Sequence, residues 1–140
     1  NRAVSESTAV STPTTATATF EIASWDDAPW AQERGGPKLT QATIRKRFIG
    51  ALEGTSIAQF LGVESEGGRG YVASELVEGV LDGKAGTFVI QHGGIDDGIQ
   101  PVGFGDIVPG SGTGELAGIR GEAAFAHDGG GAQLTLVYSL

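Results

Sequence analysis

Three ionisable side chains fall among apolar neighbours at strand spacing: Lys46 between Ile44 and Phe48, Glu75 between Ala73 and Val77, and His92 two residues after Ile90. A lysine, a carboxylate and an imidazole gathered in an apolar setting can polarise a carbonyl, stabilise developing charge and move a proton. In that reading Lys46 or His92 polarises the carbonyl, and Glu75 orients its partner or shuttles the proton. The same groups can instead close into a satisfied internal ion pair that sets strand register and does no chemistry. Phe48, Tyr71, Phe88 and Ile90 would line such a site as ligand-binding neighbours. Trp25 and Trp30 flank an acidic Asp26-Asp27 loop, where they either stack on a ligand at the mouth of a barrel or plug its end.

Other chemistries find little support. The chain has no cysteine, which removes disulfides, thiolate nucleophiles and sulfur-ligated zinc. Its two histidines belong to no metal-binding spacing, and Asp96-Asp97 in a glycine-rich turn reads as a solvated loop tip before a cation site. Gly112-Thr113-Gly114-Glu115-Leu116-Ala117 matches the letters of a dinucleotide fingerprint. However, Pro109 and Gly110 break the strand before it, and Gly118 and Gly121 oppose a helix after it. Gly79 to Lys84 is one residue short of a phosphate loop, and no Gly-x-Ser-x-Gly elbow is present. No cofactor and no metal are expected.

The elements that must position these residues are strands. At 140 residues and 39% hydrophobic content, the chain suits one folded domain. No apolar run reaches the roughly 18 residues of a membrane span. A net charge of −8 opposes non-specific nucleic-acid binding. Residues 1–14 are rich in Ser, Thr and Ala and read as a flexible leader, leaving residues 15–140 as the domain. From Ala16 on, alternation and recurrent glycine-rich breaks predict eight strands: Ala16–Trp25, Lys38–Ile49, Thr55–Ser65, Gly70–Leu81, Ala85–Gly93, Gln100–Pro109, Ala117–His127 and Gln133–Leu140. Eight short antiparallel neighbours can close into a barrel without edges. Asp82-Gly83 suits a two-residue hairpin turn, which pairs Leu81 with Lys84. That register puts Tyr71, Ala73, Glu75, Val77 and Gly79 on one face with Gly86, Phe88, Ile90 and His92. The face holds aromatic and small residues, and is expected to point inward. On the second strand, Thr40, Ala42, Ile44, Lys46 and Phe48 form the inward set and Arg45 and Arg47 point out.

Four segments carry a family resemblance: Phe20 to Asp26, Gly35 to Thr40, Phe88 to His92, and Val108 to Glu122. In this order they resemble the bacterial domain-of-unknown-function 3224 family over about Ala16 to Leu140. That family is similar in fold to allene oxide cyclases, which implies an all-β, eight-stranded antiparallel barrel. The Gly112 to Gly121 stretch also looks like the glycine-rich signature of dirigent proteins. The resemblance implies a cofactor-free cyclase or isomerase that shapes a small, mostly apolar, polyketide- or oxylipin-like substrate. A non-catalytic carrier of the same ligand and a barrel packed solid are the alternatives. No catalytic residue of those relatives transfers to this chain. Related barrels imply a homo-oligomer, and the lack of cysteine fits a reducing, cytoplasmic setting.

Overall fold

The computed structural model describes residues 12–30, 35–128 and 131–140. They form strands β1 (Thr14–Asp27), β2 (Lys38–Gly50), β3 (Leu52–Glu64), β4 (Arg69–Leu81), β5 (Lys84–Asp96), β6 (Pro101–Ile107), β7 (Arg120–Asp128) and β8 (Gly131–Ser139). Each strand pairs antiparallel with the next in chain order, and β8 returns to β1, closing an eight-stranded barrel. The expected leader falls outside the described residues up to position 11, and Thr14 already belongs to β1.

The hairpin between β4 and β5 turns on Asp82 (φ 48°) and Gly83 (φ 86°), both left-handed, as this turn demands. Its register runs without a slip from Leu81↔Lys84 to Arg69↔Asp96. Ala73, Glu75 and Val77 are buried with Phe88, Ile90 and His92, while Val72, Leu76 and Val80 face solvent. On β2, Ala42, Ile44, Lys46 and Phe48 are buried and Arg45 and Arg47 are exposed. Both inward sets are those expected from the sequence.

Several glycines expected to break strands lie inside them. Gly54 sits opposite Gly79, and a Cβ on either would come within 2.1 or 2.3 Å of the facing backbone oxygen. These glycines serve close approach of two backbones, so β3 begins at Leu52, and Ala51 alone separates it from the end of β2 at Gly50. Gly93 and Gly94 likewise continue β5, with the ring of Phe104 lying over Gly93. Asp26 and Asp27 belong to β1 and form no loop.

The predicted seventh strand loses its first residues to a different structure. Residues 108–119 form an excursion with a short 3-10 turn at Gly114–Leu116, and β7 starts only at Arg120. This segment folds over the lower end of the barrel, where Leu116 and Ile119 are completely buried. Thr113 approaches Gly86 so closely that a Cβ there would lie 2.1 Å from the Thr113 carbonyl. The lower half is thereby filled, with Phe48, Leu52, Phe88, Ile90 and Leu134 in one apolar cluster. Full burial of each such side chain stabilises by about 1.5–3 kcal/mol. The upper end, where β1 ends and β2 begins, carries no such plug among the described residues.

Candidate functional site

Four adjacent strands build the polar centre. Lys46 on β2, Ser56 on β3, Glu75 on β4 and His92 on β5 all point inward, because Lys46 pairs with Ser56, and the registers of β3, β4 and β5 bring Glu75 and His92 beside them. Their exposures are 8% for Lys46, 3% for Ser56, 0% for Glu75 and 5% for His92. Lys46 Nζ donates to Glu75 Oε1 at 3.0 Å, and Ser56 Oγ donates to Glu75 Oε2 at 2.5 Å. His92 Nε2 lies 2.8 Å from Glu75 Oε1, and His92 Nδ1 lies 2.9 Å from the Tyr71 hydroxyl. An ionised carboxylate only accepts, so Nε2 carries the proton donated to Glu75, and Nδ1 accepts from Tyr71. The lysine ammonium also lies 4.4 Å from the Phe125 ring centre and 4.9 Å from that of Phe20.

The electrostatics follow from these contacts. Burial by itself pushes the Glu75 carboxyl up. The His92 hydrogen bond, the Lys46 charge and the Ser56 hydrogen bond together overcome it and hold the group below its ordinary value. Glu75 is therefore an anion at neutral pH. Tyr71 moves the other way: burial raises it, and the nearby Glu75 charge raises it further, so its phenol stays protonated.

Above this centre lies a cavity of about 1080 Å³. Trp25, Phe60, Tyr71 and Phe125 supply its aromatic wall, and Lys38, Glu64, Arg69 and Asp96 stand at its rim. The rings make a connected belt. Trp25 meets Phe60 edge-on at 5.3 Å, Phe60 stacks on Tyr71 at 5.4 Å, and His92 contacts Phe125 at 4.3 Å. The Trp25 indole donates to Asp27 Oδ1 at 3.1 Å, which orients it at the mouth.

The residues expected to form a site separate by depth. Tyr71 and Trp25 line the cavity. Lys46, Glu75 and His92 come together but lie behind its wall, and Tyr71 is the member of their network that reaches the open space. Phe48, Phe88 and Ile90 do not line the cavity as expected. They share the inward face but sit lower in the barrel, inside the packed core. Trp30 is also absent from the wall, because the chain leaves the barrel after Asp27. Ser56, Phe60 and Phe125 were not singled out from sequence. The signal for the first two was simple strand parity, since Ser56, Ala58 and Phe60 continue one inward row. Phe125 follows Ala123 on the same rule along β7. Among the described residues, no three His, Asp or Glu side chains are grouped to hold a metal ion.

Fold and site together define a closed eight-stranded antiparallel barrel with one plugged end, an aromatic cavity at the other, and a buried Lys–Glu–His–Tyr network between them. The chain belongs to the family described as "Protein of unknown function (DUF3224)", matched over residues 16–138. It is similar to the crystal structure of a DUF3224 protein of unknown function from Shewanella oneidensis MR-1. The two are 33% identical with a TM-score of 0.84, over 91% of this chain and 97% of that one. No curated protein matches the chain.

Proposed function

We propose that the barrel is a cofactor-free enzyme of the cyclase or isomerase type, acting on a small, mostly apolar substrate held against the aromatic wall. One observation carries this reading: the hydrogen-bonded path from the cavity through the Tyr71 hydroxyl and both nitrogens of His92 to the buried Glu75 carboxylate. Such a path lets a proton leave the substrate for the Tyr71 oxygen while the Tyr71 proton passes to His92 Nδ1. The imidazolium formed is stabilised by Glu75, and the proton returns along the same path to a different substrate atom. Atoms and charge balance without any external reductant or oxidant. Tyr71 touches the substrate, and His92 is its proton store. Glu75, Lys46 and Ser56 are positioning residues. The walls contribute by holding a flexible molecule in one reactive shape.

A second reading, a carrier of the same ligand, is favoured by a different fact: Glu75 has both carboxylate oxygens bonded, so the network is complete without any substrate. The two readings separate in one experiment. Polyene, epoxide and polyketide-like probes are incubated with the wild type and the Tyr71→Phe, Glu75→Gln and Lys46→Met variants, followed by product analysis and native mass spectrometry. The enzyme reading expects product from wild type. It expects a loss on the order of 10²–10⁴-fold in Tyr71→Phe, with probe binding retained. Probe recovered bound but chemically unchanged from every protein supports the carrier. Turnover equal in wild type, Tyr71→Phe and Glu75→Gln removes the role given to the network.

A further inference from the structure

We propose that the barrel has a lateral opening between β6 and β7, and that its ligand is an elongated molecule whose apolar tail leaves through this cleft onto an outer shelf of Val102, Phe104, Ala124 and Val137. The inference rests on the reading of the cavity as a ligand site. β6 pairs with β5 at every residue from Pro101 to Ile107, but with β7 only at Asp106↔Glu122 and Ile107↔Gly121. Beyond that point both strands continue, β6 to Pro101 and β7 to Asp128, without pairing to each other. The wall is therefore split above Gly105 and Ala123, whose backbones still approach closely, in a barrel whose other seams are laddered over most of their length.

The residues at the split favour an opening. Asp106 and Glu122 face each other directly where pairing ends, both exposed and neither in a salt bridge among the described residues. Like charges directly opposite weaken a strand pair. Just above them the strands still touch, since a Cβ on Gly105 would lie 2.2 Å from the Ala123 carbonyl, and the gap opens from the next inward position of β6, Gly103, which puts no side chain across it. A Cβ on Gly103 would meet only the Gly93 carbonyl, at 3.2 Å. The cavity itself crosses the wall: inward Tyr71 and Phe125 border the same space as Phe104, Ala124 and Val137 on the outer face. That outer face is apolar and uncovered, with Val102 67% exposed and Phe104 56%. A molecule with its polar head at Tyr71 can thus continue through the cleft and cover these side chains.

The probe is a series of uncharged n-alkyl phenyl ketones with chains from about four to about fourteen carbons, each methylene buried being worth about fourfold in affinity. Binding is read from the change in tryptophan fluorescence, Trp25 lying at the cavity and Trp30 outside it, in the wild type, in Phe104→Ser, which removes the centre of the shelf, and in Ala124→Phe, which fills it. Short ketones are expected to bind all three proteins alike. With increasing length the wild type keeps gaining affinity, whereas both variants stop gaining at a shorter chain. The same length dependence in all three proteins overturns the lateral opening and leaves the cavity reading intact, and so does an equal loss at every length. Failure of every ketone to bind the wild type overturns both.

Discussion

A carboxylate with no exposed surface must find partners or be protonated, and Glu75 finds three, in Lys46, Ser56 and His92. Removing one charge of such a pair leaves the other stranded, which is why single changes here are harsh and paired changes mild. Lys46→Met alone is expected to destabilise the fold by about 3 kcal/mol, whereas the Lys46→Met and Glu75→Gln pair recovers most of that loss; urea unfolding of the two variants checks it. The depressed Glu75 value also sets an acid limit. Its contribution is fully present above the ordinary carboxylate value of 4.5 and is lost as pH falls through the lowered folded value. The thermal midpoint of the wild type should therefore fall with acidification below that value more steeply than that of Glu75→Gln.

The elements add constraints that no single residue carries. The Tyr138 hydroxyl on β8 donates to Asp82 Oδ2 at 2.5 Å, tying the last strand to the β4–β5 turn. Burial first, and Asp82 second, push the Tyr138 phenol up to about 12. A raised phenol stabilises the fold fully below its ordinary value of 10 and loses that contribution as pH rises towards the folded value. Melting curves between those two values should show a steeper decline in wild type than in Tyr138→Phe, where only the other raised phenol, Tyr71, still contributes. The excursion 108–119 depends on β5 having no side chain at position 86, where Thr113 crosses it. Gly86→Ala is expected to displace this plug and cost about 2–4 kcal/mol, since the added Cβ and backbone cannot share the space. Increased binding of a hydrophobic dye at the lower end would report the exposed Leu116 and Ile119.

At the scale of the whole molecule the barrel is uneven: laddered and packed below, hollow and split above. Hydrogen exchange should show it, with the β6 and β7 edge amides above Asp106 and Glu122 exchanging faster than those of the β3–β4 ladder. Much of this frame is legible in the chain. The Asp82-Gly83 turn sets a register in which a two-residue period leaves no freedom, so Glu75, His92 and Tyr71 must share a face. Strand alternation alone was less decisive, because Val72, Leu76 and Val80 make the outer face of β4 as apolar as the inner. The glycines at 54, 93 and 94 misled about boundaries, since a residue lacking a side chain serves a turn and a close backbone contact equally well. Depth was not legible at all. Whether Phe48, Phe88 and Ile90 face a cavity or a packed core depends on strand stagger and on a plug arriving from residues 108–119. The cleft depends on where two strands stop pairing. Local sequence thus determines which side chains look inward, because that is a matter of parity along one strand. Height within the barrel and openness of its wall are properties of several strands at once, and only the tertiary structure decided them.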